Sequence, residues 1–366
     1  MKEQIIQEGW NSLEKIGTLL ERVGCSRVLL VTGKRSFAES PGRDCIFEAL
    51  SGKSYEVFND FQINPKYEDA QKGLDLFRSF RPDVIVAMGG GTVLDMAKLI
   101  NALSSLSDDP VPYIRGAKKL SGVSLPLIAV PTTSGTGSEA THFAVVYLEG
   151  EKYSLAHQAM LPDSVILDPG LTMDMPPYLT ACTGMDALCQ GIESYWSVNS
   201  TEESRACSRR AVELAAGSLK QAVHSPRRDS REAMQQAAYF AGKGINIAKT
   251  TAAHAFSYHL TSKYAIPHGQ AVGLLMGWVF QNNLGVNEQN CIDPRGVDFV
   301  KSRLEDLCEI LGIPSHRDAA GYFDRLLKDL NLDQTAFVLN QESREELFQV
   351  VNRERLSNNP VEMEQG

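Results

Sequence analysis

No stretch of this chain approaches the roughly 18 consecutive apolar residues that a membrane-spanning helix needs, so no segment is expected to cross a bilayer. The N-terminus, MKEQIIQEGWNSLEKI, mixes charged and apolar positions and contains no apolar signal-peptide core. Cysteine is sparse: seven residues, an odd number without paired spacing. That argues against a disulfide framework and for reduced thiols in the cytoplasm. Positive charge is in deficit, with 36 Lys and Arg against 45 Asp and Glu, a net charge of −9. Non-specific binding to nucleic acid is therefore disfavoured, and an anionic ligand would need local cations or helix N-termini to hold it. The GxGxxG fingerprint is missing after the first predicted strand, so the usual Rossmann argument does not transfer. Internal repeats and low-complexity segments are missing too.

What is present is a soluble globular composition, 43% hydrophobic and 22% charged, in 366 residues. A chain of that length exceeds one small core, and two domains are the expectation. Residues 10–24 read as a helix stopped by Gly24. Val28–Val31, Glu56–Phe58 and Val84–Met88 read as strands, with a helix at 65–80 between the second and third. Such alternation predicts a doubly wound, mostly parallel α/β sheet. Gly89-Gly90-Gly91-Thr92 follows the third strand and opens a helix through Asp95, Lys98 and Leu103. Glycines at a strand-to-helix turn admit a ligand to the backbone, and a helix N-terminus favours an anion such as a diphosphate; a plain tight turn is the competing reading. Leu127–Val130 leads into PTTSGTGS (131–138), whose hydroxyls and glycines suit a phosphate or ribose contact. A hairpin at 143–147 and 153–155 and a strand at 165–167 complete this half.

From Pro176 onward the pattern is helical: 177–198, 201–223, 230–247, 250–262, 268–283, 298–311 and 317–329. The predicted domains are 1–172, α/β, and 173–366, all-α. The tail from Asn358-Asn359-Pro360 is polar and expected to fray.

Three of the seven histidines fall in Gly242–Gly269. Were Lys243–Tyr258 one helix, Lys243, Asn246, Thr250, His254 and Tyr258 would share a face, too polar for a core and suited to a pocket wall. Lys249 lies on the other side of such a helix and reaches the pocket only if the helix breaks there. Asp186 and Gln190, one turn apart, also face one way. An aspartate near a helix start is most often a cap; with His254 and His268 converging on it, it becomes a ligand for Zn²⁺ or Fe²⁺.

GGGTVLDMAK (89–98), PTTSGTGSEAT (131–141), DPGLTMDMPP (168–177), TACTGMDALCQGIESYWS (180–197) and HAFSYHL with PHG (254–260, 267–269) together resemble the iron-containing (group III) alcohol dehydrogenase family over nearly the whole chain. The resemblance implies a dinucleotide-binding α/β domain and a helical domain with a cleft between them, an architecture shared with dehydroquinate synthase. It also implies a divalent metal and reversible NAD(P)-linked carbonyl reduction. On it, Gly89, Gly90, Gly91, Thr92 and Asp95 would hold the cofactor diphosphate, and Thr132, Thr133, Thr136 and Lys152 would add cofactor contacts. Asp186, His254 and His268 match three of the four family metal ligands. Gln190 stands where the fourth, a histidine, belongs. Either three ligands suffice, as in the glycerol dehydrogenase branch, or Gln190 coordinates weakly, and Zn²⁺ becomes as plausible as Fe²⁺. The family's second histidine, four after His254, is Tyr258 here with His259 beside it, so the proton relay falls to one of these two.

NAD-preferring members place an aspartate at the end of the first strand. Here Gly33 is followed by Lys34 and Arg35, which suits the 2′-phosphate of NADPH over NADH. The run GINIAKTTAAHAFSY, with ESYWSVNSTEESR, is most similar to the phosphonoacetaldehyde reductase branch. The resemblance implies reduction of phosphonoacetaldehyde to 2-hydroxyethylphosphonate in phosphonate biosynthesis, with Asn246, Lys249, Thr250 and Thr251 holding the anion. Alternatives are sulfoacetaldehyde reduction, a general short-chain alcohol dehydrogenase, a dehydroquinate-synthase-like lyase, and a non-enzymatic role. A homodimer with a small anionic aldehyde as ligand, and with neither nucleic acid nor membrane as partner, is expected.

Overall fold

The computed structural model describes residues 3–121, 125–313 and 318–364. By internal contacts the chain forms two compact units, one through Thr133 plus Ser138–Asp174, the other Ser134–Gly137 plus Met175 onward.

The first unit is built on β1 (Ile5–Glu8), β2 (Arg27–Thr32), β3 (Ser54–Phe58), β4 (Val84–Gly89), β5 (Leu127–Pro131) and β8 (Ser164–Leu167), with the hairpin β6 (Phe143–Leu148) and β7 (Glu151–Ala156) apart. The six strands run parallel in the order β1-β8-β5-β4-β2-β3. Helices α1 (Ile16–Val23), α2 (Lys34–Ala38), α3 (Arg43–Ala49), α4 (Tyr67–Phe80), α5 (Gly91–Ser104) and α6 (Val111–Ile114) connect them. Strand alternation sorts the apolar side chains onto two faces. Val28, Leu30, Val84, Val86, Ile128 and Val130 pack with Ile16, Leu20 and Ile46; Leu29, Val31, Ile85, Ala87 and Ala129 pack with Leu74, Leu99 and Ile100. Because β3 and β4 flank β2, the order in which strands are added reverses between β2 and β4. The carboxyl ends of those strands are where an open α/β sheet takes its ligand.

The second unit is helical: α7 (Pro177–Trp196), α8 (Glu202–His224), α9 (Arg228–Ala248), α10 (Ala252–Tyr264), α11 (His268–Leu284), α12 (Val297–Leu311), α13 (Ala319–Asp329), α14 (Gln341–Val350) and α15 (Arg353–Leu356). Its apolar core is continuous, and α7 is buried almost throughout from Thr180 to Trp196. Among the described residues no helix is long and apolar enough to cross a membrane, and all seven cysteines are free thiols.

Several expectations change. β1 has no counterpart in the sequence reading, and neither do α2, α3, α6, α14 and α15. The 10–24 helix is a 3-10 turn, Ser12–Lys15, followed by α1. Lys243–Tyr258 is not one helix: α9 ends at Ala248 and α10 starts at Ala252, with Lys249 between them at φ 65°, ψ 174°. Asp186 sits mid-helix in α7, which excludes the capping role. Arg317, where the last predicted helix begins, lies outside the described residues. The tail does not fray through Met363: Asn359 and Val361 are fully buried, and Val361 pairs with Cys291.

Candidate metal and cofactor sites

At the carboxyl end of β4, Gly90 caps α5 in extended conformation and the next strand closes beside it, Gly89 registered with Pro131. The Thr132 N–H donates to the Gly89 carbonyl at 3.0 Å. Gly33 sits at the end of neighbouring β2 as the cap of α2, with Lys34 and Arg35 exposed after it. Gly33, Gly89, Gly90, Gly91, Thr92, Thr132 and Thr133 thus lie at or just beyond the carboxyl ends of three adjacent strands, β2, β4 and β5. Arg35 is already paired with Glu39 at 2.9 Å. Lys152 lies on β7.

Asp95 does not fit the role of a diphosphate contact. One carboxylate oxygen accepts from Ser138 Oγ at 2.6 Å, the other from the Val145 N–H at 3.0 Å. Its work is to fasten α5 to the chain beyond the Thr/Ser loop. Lys98, fully buried one turn on, donates to Thr141 Oγ1 at 2.9 Å, to the Phe143 carbonyl at 3.0 Å, and to the Ser138 carbonyl. Burial lowers its pKa to about 8, against the pull of Asp95 and Glu139. Glu139, buried beside it, is pushed up to about 7 by burial. Thr136 belongs to the second unit. There Gly137, at φ 60°, lies so close to the backbone of Ala238 and Gly242 that any Cβ would collide with it.

In the helical unit, Asp186 on α7, His254 in the first turn of α10 and His268 at the first position of α11 come together. One ligand atom from each lies within 4.8 Å of the others. Asp186 Oδ1 is 3.3 Å from His254 Nε2 and 3.9 Å from His268 Nε2. Ligands about 2.0–2.2 Å from a tetrahedral cation are separated by about 3.4 Å, so these spacings fit one ion. Gly269 makes the approach possible, because a Cβ there would strike the Cys182 carbonyl, one turn before Asp186. Asp186 and His254 are buried, while His268 is 33% exposed, leaving the cluster open on one side.

Glu193, fully buried two turns after Asp186 on α7, pairs with His254 Nδ1. Its other oxygen accepts from Thr251 Oγ1 at 2.8 Å and from the Ala253 N–H at 2.7 Å, capping α10 from a neighbouring helix. With the Nδ1 proton committed to Glu193, His254 turns the Nε2 lone pair toward the Asp186 carboxylate. Two acceptors face each other at 3.3 Å, an arrangement that calls for a proton or a cation between them. Burial opposes charge on His254, but Glu193 and Asp186 outweigh it and raise its pKa to about 9. The Asp186 pKa is conversely lowered, its burial overcome chiefly by the two histidines. Gln190, buried and one turn from Asp186, gives its amide N–H to the Asp186 carboxylate and leaves Oε1 without a hydrogen-bond partner, so a turn of the amide would offer an oxygen to an ion. The donor set therefore fits a divalent cation with imidazole, carboxylate and amide ligands.

Other assigned residues fare differently. Tyr258 stacks on His268, centroids 5.8 Å apart and planes 5° from parallel. His259 instead bonds Glu346 at 2.9 Å, which also holds Lys263. Thr251 is 1% exposed and its hydroxyl is committed, donating to Glu193 and accepting from Trp196 Nε1 at 2.9 Å, so it is not a substrate contact. Asn246 is buried at 6% exposure and Thr250 half-buried. Sequence reasoning passed over Glu193, although its place three residues after Gln190 on the face of Asp186 was a signal.

The family model for iron-containing alcohol dehydrogenase matches residues 4–169, and that for the C-terminal part of the Fe-containing alcohol dehydrogenase family matches 180–364. Phosphonoacetaldehyde reductase of Streptomyces viridochromogenes is 35% identical over 322 residues, 85% of this chain and 81% of that protein. Long-chain-alcohol dehydrogenase 1 of Geobacillus thermodenitrificans is 33% identical over 293 residues, 77% and 72%. The crystal structure of sulfoacetaldehyde reductase from Bifidobacterium kashiwanohense, in complex with NAD⁺, superposes with a TM-score of 0.87 at 29% identity, covering 100% of this chain and 95% of that one.

Proposed function

The chain belongs to the iron-containing alcohol dehydrogenase family, a family of NAD(P)-dependent oxidoreductases, and we propose that it reduces a small anionic aldehyde, phosphonoacetaldehyde foremost, with NADPH. The observation that carries the substrate class is Lys249. It occupies the break between α9 and α10, in the loop that leads into His254, and surrounding protein lowers its pKa by desolvation although its side chain reaches solvent. A cation in that loop, five residues before His254, supplies positive charge to which an anionic substrate can be drawn. The relatives that reduce phosphonoacetaldehyde and sulfoacetaldehyde support the same class of substrate for this chain.

In this reading Asp186, His254, His268 and Gln190 hold a divalent cation, Fe²⁺ or Zn²⁺. When bound, the cation supplies Lewis acidity to the aldehyde carbonyl and NADPH supplies the hydride. Glu193 fixes the His254 tautomer so that Nε2 faces the ion. Hydride adds to the carbonyl carbon and a proton to its oxygen, giving the primary alcohol. In this reading Tyr258, whose ring stacks on His268, passes that proton, since His259 is tied to Glu346. Lys249, Thr250 and Asn246 orient the far end of the substrate. At the cofactor end, the Gly89–Thr92 turn takes the diphosphate and Lys34 the 2′-phosphate.

Steady-state turnover of phosphonoacetaldehyde, sulfoacetaldehyde and propanal, with NADPH and with NADH, on enzyme reconstituted with Fe²⁺ or Zn²⁺ tests the reading. Phosphonoacetaldehyde with NADPH is expected to give the highest kcat/KM; a better propanal substrate would replace it with a general alcohol dehydrogenase.

A further inference from the structure

Tyr258 carries a second contact besides His268. The guanidinium carbon of Arg355, on α15, lies 4.6 Å from the centre of the Tyr258 ring. Among the described residues no carboxylate, carbonyl or hydroxyl accepts a hydrogen bond from that guanidinium. Other half-buried arginines nearby behave differently: Arg295 gives its donors to Asp293, Ser197 and Ser200, and Arg303 is paired with Asp306 at 3.0 Å. A half-buried arginine held over an aromatic ring has its planar fork of N–H donors restrained, and such a fork suits a tetrahedral oxyanion.

The backbone that bears Arg355 is fixed to the junction of α9 and α10. Asn358 Nδ2 donates to the carbonyls of Ala248 and Thr250, at 2.9 Å each, one on either side of Lys249. Its Oδ1 accepts from Ser197 Oγ at 2.9 Å and Asn199 Nδ2 at 2.7 Å, so the clamp is itself held. Between those two carbonyls, Lys249 adopts φ 65°, ψ 174°, a region that glycine occupies readily and a residue with a Cβ enters only at a cost. The chain retains a lysine where glycine would be more stable.

We propose that Arg355 and Lys249 form the anion-holding end of the substrate site, taking a phosphonate or sulfonate while the aldehyde group faces Asp186, His254 and His268. The assignment rests on the anionic-aldehyde reading above and names the residue that sets the specificity. Tyr258 is the spacer. By way of its ring the Arg355 guanidinium carbon is no more than about 10 Å from the centre of the His268 ring, which suits a molecule with two carbons between oxyanion and carbonyl oxygen. Arg355 bonds the oxyanion in a fork, and Lys249 adds a point charge.

The test compares wild type, Arg355→Ala, Arg355→Lys and Lys249→Gly holoenzymes on phosphonoacetaldehyde, sulfoacetaldehyde and propanal, with phosphonoacetate as an unreactive anion whose dissociation constant is measured in the presence of oxidised cofactor. Arg355→Ala is expected to lower the ratio of kcat/KM for anionic over neutral aldehyde by at least ~10-fold, mostly through KM, and to weaken phosphonoacetate by a similar factor. Arg355→Lys recovers part of the loss. Lys249→Gly lowers the same ratio while raising the unfolding temperature, because it relieves the backbone. Equal losses on anionic and neutral aldehydes, or an unchanged ratio, would remove Arg355 from the substrate site and leave the anionic reading standing. A wild-type enzyme that neither prefers the anionic aldehydes nor binds phosphonoacetate overturns both.

Discussion

The buried carboxylate of Glu193 grips His254 at two points, Oε2 at ring Nδ1 and Oε1 at the backbone N–H, the latter at 3.4 Å. One side chain from α7 thus starts α10 and orients the ring that α10 contributes to the metal cluster. A glutamine at position 193 keeps an oxygen that can accept from Nδ1 but removes the charge that makes Nε2 a strong donor. Glu193→Gln is therefore expected to fold and to bind Zn²⁺ or Co²⁺ about 10- to 100-fold more weakly, read by competition with a chelator. An unchanged affinity would reduce Glu193 to a cap for α10.

Gln190 makes a graded prediction. Its Oε1 has no partner in a buried setting, whereas the Asp186 carboxylate lies within reach of both histidines. Asp186→Ala should abolish the rise in unfolding temperature that added metal produces, since a ligand bound only by the folded state stabilises it by mass action. Gln190→Ala should keep that rise but require several-fold more metal to reach it, as expected for a neutral oxygen ligand among charged and imidazole donors. Metal-dependent melting of the two variants, side by side, distinguishes a four-ligand site from a three-ligand one.

The parts of the molecule that were legible beforehand are those where one physical requirement dominates. Strands buried on both faces must be unbroken apolar runs, and Val28–Val31, Val84–Met88 and Leu127–Val130 are such runs, ending at glycine or at Pro131-Thr132. β1 escaped notice because it is four residues long and only half-buried at the sheet edge, so its composition is ordinary. The break at Lys249 carried no glycine to announce it. Asp186, His254 and His268 were singled out because imidazoles and a lone carboxylate in apolar surroundings are unusual. Glu193 was not, because its one signal, a shared helix face with Asp186 and Gln190, is also what an exposed glutamate can show until its partners are known. Arg355 comes from a segment more than ninety residues beyond His254, brought in by the Asn358 clamp. No local pattern carries that.

Glu139 gives the first unit a pH dependence of defined sign. Its carboxyl titrates at 4.5 when unfolded and at about 7 in the fold, where burial favours the neutral form and Lys98 only partly opposes it. A raised folded value means that the fold binds the extra proton: the contribution is complete below pH 4.5 and is lost as pH climbs through 7. The loss is on the order of 3 kcal/mol at most. Glu139→Gln is neutral throughout, so it should match wild type at pH 5 and be the more stable protein at pH 7.5 by urea unfolding. Staying at or below pH 7.5 keeps Lys98, near 8, from complicating the comparison. Parallel curves for the two proteins would show that Glu139 stays ionised.

In the NADPH reading, cofactor choice turns on the end of β2. Gly33 has an ordinary φ of −74°, and a Cβ added there would meet first the Ser36 hydroxyl, which can rotate away. Aspartate at 33 is therefore tolerated by the backbone, and it would set a carboxylate where NADPH carries its 2′-phosphate and where the ribose 2′-hydroxyl of NADH could be bound instead. Gly33→Asp is expected to shift the ratio of kcat/KM for NADPH over NADH by at least ~10-fold toward NADH. Lys34→Ala should weaken NADPH alone. Arg35→Ala should matter less, because its guanidinium already answers Glu39 four residues on. If the wild type favours NADH and Lys34→Ala leaves both constants unmoved, the 2′-phosphate is not read by this turn.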